Sequence, residues 1–164
     1  MANDIRDLII IGGGASGMLT GIIAAKRGQS VSILEHNKTL GKKLAITGNG
    51  RCNFTNLYQE PFCYNSGNIE KSYNIINTWG KKGITDLFSS FGIEWMVKKG
   101  RSFDRAYAGY VYPAGESAKE FVNILNDELI RYRVKIKTNI SVTDIKPISE
   151  GFEIVTESAG GYYS

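Results

Sequence analysis

Six consecutive residues near the start of the chain, Gly12-Gly13-Gly14-Ala15-Ser16-Gly17, have the spacing with which a backbone holds a diphosphate. Gly12 permits a sharp turn off a strand, Gly14 leaves a pyrophosphate room to approach, and Gly17 lets the next helix pack closely on a sheet. The helix that opens at Ala15 and Ser16 presents unpaired N–H groups and roughly half a positive charge to phosphate oxygens. Glu35 ends the next apolar run. A carboxylate there accepts hydrogen bonds from an adenosine ribose and repels a 2′-phosphate, which disfavours NADP. A glycine-rich turn beside a surface glutamate would explain the spacing alone; the flanking elements give the pattern its weight.

A second cluster runs from Gly41 to Asn56 as Gly-Lys-Lys-Leu-Ala-Ile-Thr-Gly-Asn-Gly-Arg-Cys-Asn-Phe-Thr-Asn. Gly48 and Gly50 let backbone approach a ligand, and Lys42, Lys43 and Arg51 bring the positive charge that a diphosphate attracts. Thr47, Asn49, Asn53, Thr55 and Asn56 are uncharged hydrogen-bonding groups suited to ribityl hydroxyls or flavin carbonyls. Cys52 reads as a packing residue rather than a redox thiol. His36 follows Glu35 and is expected beside the adenosine, away from any flavin ring. No catalytic acid or base stands out.

The elements that must position these groups are legible. Residues 7–11 read as a buried parallel strand, short, branched and followed at once by glycine. Residues 15–26 switch to helical spacing and Gly28 ends them; residues 31–34 are a second buried strand. Strand, turn, helix and strand make a βαβ unit. Residues 37–67 lack periodicity, which in a compact domain marks a binding segment. Helices are expected at 69–79, 83–91 and 116–132, with short strands at 93–98, 110–112 and 134–137. A basic, aromatic loop holds Arg101, Phe103, Arg105 and Tyr107. Residues 142–148 and 152–156 alternate as a β-hairpin, and 159–164 carry no stop signal. Both FAD and NAD offer an AMP half to the first unit. A regular NAD-binding half would continue as βαβαβ, whereas this chain enters a long glycine-rich loop, which favours FAD.

Bulk properties narrow the classes. The chain has 164 residues, 42% of them hydrophobic and 22% charged, as in a globular domain with its own core. The longest wholly apolar run, Leu8 to Ile11, is far too short for a membrane span. Without a basic stretch and apolar core at the N-terminus, a cytoplasmic location is expected. Two cysteines, Cys52 and Cys63, and one histidine, His36, cannot assemble a zinc site. The net charge of +4 is spread along the chain, so a solvated surface is expected, with no nucleic-acid or membrane partner.

The residues from Gly12 to Gly17, Glu35 and above all the run from Gly41 to Asn56 resemble the BaiN-like bacterial flavoproteins. These are NAD(P)/FAD-dependent oxidoreductases that include the aminoacetone oxidase family FAD-binding enzymes. Tyr110-Val-Tyr-Pro113, with Ser117-Ala118 opening a helix, is similar to a further segment of that family. The resemblance implies a Rossmann-like α/β FAD-binding domain of the two-dinucleotide-binding type, a parallel sheet with helices plus a hairpin or meander. It places Gly12, Gly14, Ala15, Ser16 and Gly17 on the pyrophosphate and Glu35 on the ribose. Lys43 and the Gly48 to Asn53 loop would line the rest of FAD, with Val142 or its neighbours at the adenine. It further implies an FAD-dependent oxidoreductase with NADH or NADPH as a candidate electron donor. Residues 1–164 would then be the N-terminal part of the flavin domain, inactive without a substrate domain and a C-terminal return, and incomplete at its C-terminal end. Two other readings remain: an NAD-binding dehydrogenase or sensor domain, and a non-catalytic binding module built on Arg101, Arg105 and nearby tyrosines.

Overall fold

The structure, a computed structural model, describes residues 4–98, 109–157 and 162–163. In chain order the principal elements are β1 (Asp4–Ile5), β2 (Leu8–Ile11), α1 (Ala15–Lys26), β3 (Val31–Glu35), β4 (Thr55–Asn56), α2 (Ile69–Ser90), β5 (Trp95–Lys98), β6 (Tyr110–Pro113), α3 (Ala118–Arg131), β7 (Lys135–Thr138), β8 (Val142–Ile148), β9 (Gly151–Thr156) and β10 (Tyr162–Tyr163). They divide into two compact units, one formed by Met1–Ala45 with Val122–Ser164, the other by Ile46–Phe121.

The first unit is the Rossmann-type α/β part. Strands β2, β3 and β7 form a parallel sheet in the order β2-β3-β7, with Leu8 opposite Val31 and Ile33 opposite Ile136. All five residues of β3 are buried, as expected of a central strand covered on both faces. Helix α1 buries Met18, Gly21, Ile22 and Ala24. A Cβ added at Gly21 would come within 3.1 Å of both Ile33 and Leu129, so the lack of a side chain sets how near α1 lies to β3 and to α3. The hairpin of β8 and β9 forms as the alternation predicts, with Ile145 opposite Ile154. Leu34 and Ile154 form a small core on which Ile9, Ile140 and Val142 pack.

Two short strands were not expected. Tyr162–Tyr163 pairs antiparallel with β9, and Asp4–Ile5 pairs parallel with it in turn, giving a second sheet in the order β1-β10-β9-β8. Pairs this short carry no pattern of their own, because only the distant partner makes them strands.

The second unit holds an antiparallel sheet in the order β4-β6-β5. Strand β4 lies within residues 37–67, where no periodicity marks a strand, with Thr55 opposite Val111 and Asn56 opposite Tyr110. Phe54, Phe88 and Phe121 form an aromatic core, with the Phe54–Phe88 and Phe88–Phe121 ring centroids 4.9 and 4.8 Å apart in edge-to-face geometry. The two helices expected at 69–79 and 83–91 form as the two segments of α2, separated by a non-helical break at Gly80, where φ is 60° and ψ 177°. The side chain of Asn68 caps its first turn by accepting from the Lys71 N–H at 2.9 Å.

Candidate functional site

The glycine turn joins β2 to α1. The Gly12 N–H donates to the Leu34 carbonyl at 2.8 Å, which ties the turn to the neighbouring strand. A Cβ at Gly17 would lie 2.1 Å from the Gly12 carbonyl oxygen, so only glycine fits. Gly14 is the opposite case: a Cβ there would meet nothing within 4 Å. Gly14 is also the N-cap of α1, no side chain caps that end, and the first turn contains no acidic residue. Gly14, Ala15 and Ser16 at the start of α1 are exposed, and no carboxylate of the first turn neutralises its N–H groups.

Gly13, which the motif leaves free to vary, is buried here, and a Cβ on it would fall 2.5 Å from Leu40 Cγ. Its carbonyl accepts from the Gly41 N–H at 2.7 Å. The segment after β3 thus folds back and closes on the turn through Leu40 and Gly41.

Glu35 is 5% exposed. Its Oε2 accepts from the Gly13 N–H at 2.7 Å, and its Oε1 accepts from both the N–H and the side-chain amide of Asn37, each at 2.7 Å. His36 Nδ1 lies 3.1 Å from Oε1. Burial by itself pushes the carboxyl up, but the Asn37 and Gly13 N–H groups, the Asn37 amide and the His36 ring outweigh it and hold Glu35 below the ordinary glutamate range. Lys42 Nζ reaches Asn37 Oδ1 at 3.4 Å. The structure thus gathers the turn, Glu35, His36 and Lys42 in one place. Ala15, Ser16 and Lys43 are exposed, and Val142 is half-buried against the Leu34 and Ile154 core.

In the second unit, residues 47–53 form a tight turn. Gly48, Asn49, Gly50 and Cys52 all have positive φ, at 56°, 57°, 78° and 59°. The Arg51 and Cys52 N–H groups both donate to the Thr47 carbonyl, at 3.1 and 3.0 Å. Asn53 uses its side-chain N–H groups on its own chain, donating to the carbonyls of Thr55 and Val111 at 3.2 and 3.1 Å. Cys52 is 1% exposed and burial pushes its thiol up, against a hydrogen bond with Thr47, as suits a packing residue better than a thiolate nucleophile. The Arg51 guanidinium donates to the Gly48 carbonyl at 3.3 Å and lies 5.7 Å from the centre of the Tyr112 ring. Lys98 Nζ is 5.4 Å from the same ring and pairs with Glu116.

Sequence reasoning missed Gly13, Leu40 and Asn37. The signal for Leu40 was a lone apolar residue within a polar run, and for Asn37 an amide two residues past the key carboxylate. The basic loop with Arg101, Phe103, Arg105 and Tyr107 lies outside the described residues, so the binding-module reading gains nothing from them. Among the described residues no helix is long and apolar enough to cross a membrane.

Comparison with known proteins agrees with this geometry. The chain is 37% identical over 147 residues to a 3-dehydro-bile acid delta(4,6)-reductase of Clostridium scindens, covering 88% of this chain and 34% of the relative. It is 32% identical over 148 residues to a ribosomal RNA dihydrouridine synthase of Escherichia coli K12, covering 90% and 35%. The chain therefore spans about a third of the length of these curated relatives. In fold it is similar to a 3-ketosteroid-delta4-(5alpha)-dehydrogenase of Rhodococcus jostii RHA1, with a TM-score of 0.72 and 16% identity over 100% of this chain and 45% of that one. The family model described as the HI0933-like protein Rossmann domain matches residues 6–163, and the chain belongs to that family.

Proposed function

We propose that this chain supplies the adenosine-diphosphate grip of an FAD site in a flavin-dependent oxidoreductase, with NADH or NADPH as electron donor. The observation that carries the reading is the open, uncapped turn at Gly14, held in place by the buried Glu35 carboxylate on the Gly13 N–H. The fit is a matter of space, because the path a Cβ would take at Gly14 is clear for a phosphate. The N–H groups of Gly14, Ala15 and Ser16 would hold the pyrophosphate, and Glu35 the ribose, with His36 and Lys42 alongside. Val142 would border the adenine. The roles proposed for Lys43 and residues 47–53 on the ribityl and flavin half rest on the sequence motif.

FAD, when bound, supplies hydride chemistry, while the protein supplies binding, orientation and electrostatics. One relative is named a delta(4,6)-reductase and another a dihydrouridine synthase. Each name describes adding hydrogen across a carbon–carbon double bond, which supports reduction of such a bond as the reaction class here. The second name also favours an RNA substrate as a second reading, against the expectation of no nucleic-acid partner. Binding to RNA that weakens steeply with salt would mark it.

An absorption spectrum of the purified intact protein, with and without NADH or NADPH, tests the proposal. The expected result is the two-banded spectrum of oxidised flavin, bleached by one of the two nucleotides in the absence of oxygen. A colourless protein that saturably binds NAD would replace this reading with the dehydrogenase one.

A further inference from the structure

The contacts around Glu35 divide its two oxygens between different tasks. Oε1 receives two donors, the Asn37 N–H and the Asn37 side-chain amide, and His36 Nδ1 lies 3.1 Å from it as an ion-pair contact. The partner of Oε2 among the described residues is the Gly13 N–H. Asn37 itself is fully engaged. Its amide nitrogen also lies 3.0 Å from His36 Nε2, and its Oδ1 receives Lys42 Nζ. With the His36 proton on Nδ1, Nε2 accepts from the Asn37 amide.

Two donors occupy both lone pairs of Oε1 and leave it no capacity for a ribose hydroxyl. Oε2, with one donor, retains a lone pair. The Asn37 backbone carbonyl also accepts from the Asn139 N–H at 3.1 Å, and the Glu35 carbonyl from the Ile140 N–H at 2.9 Å, so the chain after β7 fixes the backbone that carries both side chains.

We infer that Asn37 is a positioning residue: it occupies Oε1 and fixes the Glu35 carboxylate so that Oε2 is the oxygen that accepts from the ribose. This inference rests on the proposed adenosine site. Asn37 acts through Glu35 and needs no contact with the nucleotide. His36 is the second support, more exposed, and Lys42 holds the far side of the Asn37 amide.

Two measurements test it, with Asn37→Ala and Asn37→Asp compared with the parent chain. Calorimetric titration with ADP and with 2′,3′-dideoxy-ADP separates an effect through the ribose from a general loosening of the fold. Asn37→Ala is expected to weaken ADP about tenfold, the scale of one lost charge-assisted hydrogen bond. It leaves 2′,3′-dideoxy-ADP within about twofold, because that ligand has no hydroxyl for Glu35 to receive. Asn37→Asp weakens ADP further, since a second carboxylate beside Glu35 repels it. Equal losses for both nucleotides would reduce Asn37 to a structural residue and overturn the inference. The second measurement is the carbon-13 titration of the Glu35 carboxyl without ligand, expected to move upward in Asn37→Ala and further in Asn37→Asp. An unmoved titration also overturns it. If the parent chain does not bind ADP, the dinucleotide reading fails, and the carboxyl titration still decides whether Asn37 sets the state of Glu35.

Discussion

Gly14 and Gly17 stand three residues apart in one turn, yet a methyl group at each would meet opposite surroundings. At Gly17 it would lie 2.1 Å from a backbone oxygen that cannot move aside, and at Gly14 it would meet nothing within 4 Å. Gly17→Ala is therefore expected to destabilise the fold by about 1–3 kcal/mol, as overpacking does, read as a lower urea midpoint. Gly14→Val should cost no more than about 1 kcal/mol, the scale of a poorer helix cap, while occupying the phosphate's path. Glu35 adds a pH dependence whose sign follows from its contacts. Its folded value lies below the unfolded one, so its contribution is present above the ordinary glutamate range and is lost as pH falls through it. Urea unfolding between about pH 5 and pH 3 should lower the parent's midpoint more than that of Glu35→Gln. Parallel pH profiles would remove Glu35 from the account of stability. The signal for Asn37 in the sequence is its type and its place two residues past Glu35; its role depends on which carboxylate oxygen it meets.

At the scale of elements, the βαβ unit was legible because three signals agreed: a branched apolar run, a helical apolar face and glycine at the places where both change. Hairpin β8–β9 was legible for a similar reason, its alternation ending at Gly151. Strand β4 was not, because Thr55–Asn56 lies within a polar run and becomes a strand only through pairing with β6. Strands β1 and β10 have two residues each and were hidden in the same way. The break in α2 lies between the two. Residues 69–79 and 83–91 read as two helices, and the chain does break between them at Gly80. Its φ of 60° with ψ of 177° belongs to a region open essentially to glycine. Gly80→Ala is expected to cost about 1–3 kcal/mol although its Cβ would meet no atom within 4 Å. A chemical denaturation midpoint equal to the parent's would show that this backbone can relax.

At the scale of the whole molecule, the parallel sheet and its glycine turn belong to a unit drawn from both ends of the sequence, Met1–Ala45 and Val122–Ser164. The residues from 47 to 53 belong to the other. A linear reading joins the two motifs by their nearness in sequence, and the curated relatives that the chain matches are about three times as long. The central claim concerns the first unit: its glycine turn holds the diphosphate of FAD. The most direct test is the flavin-to-protein ratio of intact parent and Gly14→Val proteins purified side by side, read from the visible absorption of oxidised flavin. The account predicts stoichiometric flavin in the parent and none in Gly14→Val, with both proteins folded. Equal flavin in the two would contradict it.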